Sequence, residues 1–330
     1  MSTSQKRRSV ILGTGLITLA MLAVSGPAAA QAWPTKPVRI IVPFAPGGTA
    51  DMLGRVVAQK LTENLKQSFI IDNRPGAGGL LGMELAAKSA PDGYTLVVSG
   101  VAGYAIAPVL SKKPVFDPQK DFSHIALFGG PPAVLAVTNS FAPRDLKEFI
   151  AYAKTNPGKI SYGSAGNGSQ GHLFGEQLKQ LAGINMVHVP YKGLSQATAD
   201  MIAGHIEATS GTLSSTAGQL RAGKARGLAV ASPGRVPEFP NIPTFAELGY
   251  PELTASTWFS LSGPAGMPKE IVQRLNREVR QILQLPDVRE KLRGEAIEPG
   301  NLDTEAFGIL IADEIKRWGP IVRASGAQVD

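Results

Sequence analysis

The residues best suited to chemistry in this chain are small and uncharged. Gly47, Gly48 and Thr49, with Asp51 two residues on, close the stretch VRIIVPFAPGGTAD from Val38 to Asp51. Ser164, Asn167, Gly168 and Ser169 lie within GSAGNGSQG, from Gly163 to Gly171. Glycine lets a backbone turn sharply and lets a ligand come close to its N–H. The hydroxyls of Thr49, Ser164 and Ser169 add further donors. At the start of a helix such a set holds an anion, because free N–H groups and the positive end of the helix dipole point the same way. A carboxylate fits that place without any arginine. Asp51 would repel it, so its backbone N–H is expected to face the ligand while its carboxylate takes an internal partner.

Other chemistries fit less well. Gly166, Gly168 and Gly171 have dinucleotide-binding spacing, but Tyr191-Lys192 stands where the ribose-binding acid is expected. A nucleophile elbow needs glycine two residues before its serine; Tyr162 precedes Ser164 and Asn167 precedes Ser169 in that way. The four histidines, His124, His172, His188 and His205, show no metal-ligand spacing, and the chain has no cysteine. No cofactor is expected. His172, in the first turn of a helix, either lines a ligand or serves as a surface or capping residue. Gly/Ser turns also join strands to helices in any α/β protein. Two long ones in corresponding places carry more weight than one.

Both turns need a strand before them and a helix after them. Val38, Ile40, Ile41, Val42 and Phe44 suit a buried strand. Thr49 is a plausible N-cap, and Met52, Leu53, Val56, Val57, Leu61 and Leu65 repeat at helical spacing. Strands are also expected at Ser68–Asp72, Tyr94–Ser99, His124–Phe128 and Ala133–Thr138. Later ones fall at Ile160–Tyr162, Met186–Val189, Gly227–Ala231 and Thr257–Ser262, with a weak strand at Ile206–Ala208 and a polar turn at Gly211–Ser215. The helix after Gly171 should turn Leu173, Phe174, Leu178 and Leu181 to one face. Strand and helix alternate, which argues for parallel sheets flanked by helices. Only Gly129 to Pro132 separate two strands, as where a chain passes between domains. Helices at Lys269–Leu283 and Glu305–Val322 have few strands to cover and should pack back on the first domain, making it discontinuous.

With 43% hydrophobic and 18% charged residues in 330, the chain is globular and long enough for two cores. Lys6, Arg7 and Arg8 supply three of its net +7 charges, and the mild remainder gives no reason to expect nucleic acid. Residues 1–30 form a signal peptide: a basic start, an apolar run from Val10 to Val24, and Ala28-Ala29-Ala30 as cleavage site, with Ala32 as the alternative. The general secretory route is expected, with the twin-arginine route left open by Arg7-Arg8. Export without disulfides suits a bacterial periplasm.

The chain resembles the solute-binding receptors of tripartite tricarboxylate transporters, the Bug family. The resemblance rests on Trp33-Pro34, Val42-Pro43-Phe44, Pro46-Gly47-Gly48 and Asn73-Arg74-Pro75-Gly76-Ala77-Gly78-Gly79. It continues through Pro91-Asp92-Gly93-Tyr94-Thr95-Leu96, Tyr162-Gly163-Ser164, Val189-Pro190-Tyr191-Lys192-Gly193 and Pro264-Ala265-Gly266. It implies a type II periplasmic-binding-protein-like fold, two α/β lobes with mainly parallel sheets. Residues 32–130 and 257–330 would form one lobe and 131–256 the other. A small organic carboxylate would lie between the turns at 45–51 and 163–169, with Phe44, Ser99, Tyr191 and Thr212 also on the cleft. The protein would be a monomer without catalytic activity that serves a membrane permease or a sensor; an exported hydrolase-like enzyme is the alternative. Many relatives carry an acid where this chain has Gly211, so ammonium-bearing ligands should be disfavoured.

Overall fold

The computed structural model describes residues 33–111, 115–254 and 257–325. The expected signal peptide and its cleavage positions lie outside them. From Lys36 on, the described residues form one unit built on two sheets.

The first sheet begins with Val38–Val42 (β1), whose β-branched residues are fully buried on either side of Arg39. Pro46 to Gly48 end it, and Thr49–Leu65 (α1) follows, burying Leu53, Val57 and Leu61 at helical spacing. Phe69–Asn73 (β2) leads through a tight turn at Ala77–Gly79 into Leu80–Ala87 (α2). Thr95–Gly100 (β3) runs into a wide helical turn, Ala102–Ile106, continued by Ala107–Leu110 (α3). Phe122–Gly130 (β4) is the last strand of this sheet before the chain leaves it.

The chain crosses at Pro131-Pro132 and starts the second sheet with Ala133–Thr138 (β5). Leu146–Thr155 (α4) is capped by Asp145, whose carboxylate accepts from the Glu148 N–H at 2.8 Å. Ser161–Ser164 (β6), Gln170–Ala182 (α5), Val187–Pro190 (β7) and Leu194–Ala203 (α6) follow. Ala208–Thr212 (β8), Leu213–Arg221 (α7) and Ala225–Val230 (β9) complete this half. Phe259–Pro264 (β10) returns to the first sheet. Lys269–Gln284 (α8), Pro286–Gly294 (α9), Glu298–Pro299 (β11) and Thr304–Ser325 (α10) pack there, α8 against β4 and α1, and α10 mainly against β4 and the Ala102–Leu110 segment.

The strand orders are β11-β4-β10-β3-β1-β2 and β7-β6-β8-β5-β9. Both sheets are mixed. β1 is parallel to β2 and β3, whereas β10 is antiparallel to β3 and β4. In the second sheet β6 is parallel to β7 and β8, and β5 is antiparallel to β8 and β9. The reversed strands β5 and β10 are the first laid down after each crossover. A chain that leaves one sheet at the carboxyl ends of its strands enters the other at the same end. Its first strand must therefore run backwards.

Three details differ from the sequence expectations. The polar turn at Gly211–Ser215 does not form, because β8 extends to Thr212 and α7 starts at Leu213. Thr209 and Ser210 are buried between β5 and β6, with Ser210 donating to the Gly171 carbonyl at 2.8 Å. The helix α5 has two buried faces instead of one. Phe174 and Leu178 enter the core of the second half, Leu173 enters that of the first, and Leu181 is 41% exposed.

Candidate functional site

A cavity of about 70 Å³ lies where the carboxyl ends of the parallel strands of both sheets meet. Its wall includes the N-cap residues of four helices: Gly48 of α1, Ser169 of α5, Gly193 of α6 and Thr212 of α7. The first N–H groups of a helix have no partner within it. Gly48, Gly193 and Thr212 offer no side-chain cap, which leaves first-turn N–H groups of α1 and α6 for other acceptors, while the Leu213 N–H that opens α7 donates to the Pro132 carbonyl at 2.9 Å. Four positive helix ends thus converge on one space. Among the described residues, the wall carries no ionisable side chain. Phe44, Val101, Leu194, Trp258 and Phe259 make the rest of it largely apolar. The arrangement suits an anion with an apolar body.

The two halves meet directly at the rim. The Thr49 hydroxyl is bonded to the hydroxyls of Thr212, at 2.8 Å, Ser215, at 3.1 Å, and Ser214. Gly48, not Thr49, is the N-cap of α1, which frees that hydroxyl for the cross-cleft contacts. The Ala45 N–H donates to the Lys192 carbonyl at 3.1 Å.

Of the residues singled out in the sequence, Phe44, Gly48, Thr49, Ser169 and Thr212 stand on the cavity wall. The others stand behind it and support it. Asp51 is 4% exposed, and its carboxylate accepts from the Gly47 N–H at 3.0 Å, Arg55 Nε at 2.9 Å and Asn73 Nδ2 at 3.0 Å. Burial raises its pKa, but these bonds outweigh it and hold the carboxyl below its ordinary value. Gly47 is consumed in that network, so the turn is fastened from inside. Ser99 is fully buried behind Gly100 and Val101. Tyr191 turns away to donate to Asp200 Oδ2 at 2.7 Å.

The second turn is also folded on itself. Ser164 is fully buried and accepts from the Gly166 N–H, at 3.2 Å, and from the Ser169 hydroxyl, at 3.1 Å. Its hydroxyl lies 2.7 Å from His188 Nε2. The Gly168 N–H donates to His172 Nδ1 at 3.1 Å, which removes Gly168 and His172 from direct ligand contact. The Asn167 carbonyl faces Gly78 instead of the cavity. The Ser164–His188 contact has nucleophile–base spacing. Burial, with the His172 and Lys179 charges, lowers the His188 pKa to about 3, so it is a weak base. Ser164 has no access to the cavity.

The sequence reading missed Gln170, Leu194, Thr257, Trp258 and Phe259 on the wall. Thr257 to Phe259 arrive through the second crossover, and Leu194 opens α6. Trp258 is held from behind by Glu314, whose Oε2 accepts from Trp258 Nε1 and Trp318 Nε1, each at 3.1 Å.

Residues 53–327 match the model of the tripartite tricarboxylate transporter family receptor. The chain is 36% identical over 320 residues to Protein BugT of Bordetella pertussis, covering 95% of this chain and 96% of that protein. Its structure is similar to that of an R. palustris protein solved with adipate, with a TM-score of 0.86 and 35% identity over 90% of this chain and 99% of the other. MatC from Rhodopseudomonas palustris, solved with bound malate, gives a TM-score of 0.85 and 31% identity over 88% of this chain and 100% of that one. The two mixed α/β sheets are those of periplasmic binding proteins. Sequence, fold and the convergence of helix ends agree, and the chain belongs to the tripartite tricarboxylate transporter receptor family.

Proposed function

We propose that this protein is an exported periplasmic receptor that captures a small organic carboxylate between its two halves. The observation that carries the reading is the meeting of four helix N-caps on a wall with no ionisable side chain among the described residues. The carboxylate takes backbone N–H groups of α1 and α5; the Thr49 and Ser169 hydroxyls, whose protons are taken up in bonds within the protein, shape the turns that present them. Residues 32–130 with 257–330, and 131–256, act as the closing lobes. The relatives solved with adipate and malate support this ligand class. Delivery is to a membrane permease of the transporter family or to a sensor, by a monomer.

Calorimetry and thermal shift on the mature chain with a panel of organic acids test the reading. One acid should bind stoichiometrically without being consumed. At one hundred times its dissociation constant it should add about 2.7 kcal/mol of stability. Turnover of the bound acid would favour the hydrolase-like alternative, and no saturable binding by any acid would reject the carboxylate reading.

A further inference from the structure

Gln170 is the first residue of α5 and is only 6% exposed, yet it stands on the cavity wall. Its side chain reaches across to the other half, where the Thr257 hydroxyl donates to Oε1 at 2.6 Å. Thr257 is itself 4% exposed. At 2.6 Å the contact is an O–H···O length, shorter than the usual N–H···O range, and this sets Oε1 toward Thr257. The other end, Nε2, is buried and has no hydrogen-bond partner among the described residues. A buried amide N–H without an acceptor is costly, and such groups are rare in folded proteins. An acceptor brought by the ligand removes that cost.

The charge of the acceptor follows from the wall. The helix ends already face the ligand's carboxylate. A second carboxylate at Gln170 would be desolvated with no lysine, arginine or histidine on the described wall to pair with it. An uncharged oxygen carries no such penalty. The Thr257 oxygen keeps free lone pairs after donating, so a ligand hydroxyl could accept from Gln170 and donate to Thr257. Resting on the carboxylate reading above, we propose that Gln170 is a specificity-determining residue. It reads an uncharged hydroxyl or keto oxygen, and the preferred ligands are hydroxy- or keto-acids over the plain acids of the same skeleton.

Calorimetry with matched acids tests this: propanoate with 2-hydroxypropanoate, butanoate with 3-hydroxybutanoate, and benzoate with 4-hydroxybenzoate. In at least one pair the native protein should bind the oxygenated member at least tenfold tighter. Gln170→Leu should cut that ratio at least fivefold, and Gln170→Glu, which offers an acceptor only, should erase it. An equal loss for both members of a pair would mean that Gln170 merely bridges the halves, and would overturn the proposal. So would an unchanged ratio, or no preference in the native protein. If circular dichroism shows a misfolded Gln170→Leu chain, Thr257→Val, which frees the amide to rotate, should also shrink the ratio; an unchanged ratio there counts against the proposal. If none of these acids binds while another acid of the wider panel does, the proposal is overturned and the carboxylate reading stands; if no acid binds at all, both fall.

Discussion

The Thr49 hydroxyl lies 2.8 Å from the Thr212 hydroxyl, joining the first turn of α1 to the end of β8 across the cleft. With Ser214 and Ser215 as further partners it uses its full capacity of one donor and two acceptors. These bonds exist only while the halves are together, so they weight the closed form. Thr49→Val keeps the shape and removes the hydroxyl. It should withdraw about 1–3 kcal/mol from the closed form. Small-angle scattering should then give a larger radius of gyration for the ligand-free variant than for the native protein. Equal radii would show that the hydroxyl cluster does not hold the cleft shut.

A second consequence concerns pH. The rings of His172 and His188 stack 3.9 Å apart, behind the turn at 164–169. Burial, with neighbouring charges, lowers the His188 pKa to about 3, and burial lowers that of His124 to about 4. Both must stay neutral in the folded protein, while the unfolded chain takes up protons near pH 6.5. Unfolding therefore binds protons below about pH 6.5, and stability falls as pH decreases from there. The slope is at most about 1.4 kcal/mol per pH unit for each such histidine. His188→Gln, which keeps an amide near Ser164 and cannot charge, should flatten the fall in melting temperature between about pH 6 and 4. His124 leaves a residual slope. A variant as acid-sensitive as the native protein would place the loss elsewhere.

Much of this was legible in local pattern. β1 reads directly from its β-branched residues because it is buried on both faces, and α1 from the helical spacing of Leu53, Val57 and Leu61. The end of β8 was illegible for the opposite reason. The sequence pattern ends a weak strand at Ala208 and begins a polar turn at Gly211, and only the strands on either side carry β8 through Thr209 and Ser210 to Thr212. Leu173 and Leu181 share a helix but not an environment, since α5 lies between two cores. In the site, glycine-rich turns marked both helix ends that a carboxylate needs. Sequence could not separate Thr49, which faces the cavity, from Ser164, which folds into its own turn. The wall at Thr257 and Trp258 comes from the far end of the chain, so no local signal announces it.

Glycine at position 211 has a packing reason that the sequence does not contain. A Cβ on Gly211 would lie 2.3 Å from Leu194 Cδ2, and Leu194 is part of the cavity wall. Gly211→Asp should therefore do more than add charge. It should destabilise the protein by roughly 1–3 kcal/mol through overpacking and push Leu194 toward the ligand. Pairing Gly211→Asp with Leu194→Ala should recover most of that loss. Thermal unfolding of the two single variants and the double one checks this. Additive losses would show that the two side chains do not compete for the same space.

A close backbone approach between the two halves identifies a way to hold them apart. Gly78, in the turn before α2, has φ +63°, and a Cβ there would lie 2.2 Å from the Asn167 carbonyl oxygen of the opposite turn. That oxygen is backbone and cannot swing aside as a side chain would. Gly78→Ala thus carries two penalties: left-handed strain of about 1–2 kcal/mol, and a clash that only separation of the halves relieves. Gly204→Ala isolates the first, because Gly204 has φ +82° and no atom within 4 Å of an added Cβ. Gly204→Ala should lose only the strain, and Gly78→Ala at least as much thermal stability. Only Gly78→Ala should also weaken acid binding, by tenfold or more, and enlarge the ligand-bound radius of gyration. If both variants bind alike, Asn167 yields to the new methyl group and the contact does not set the closed distance.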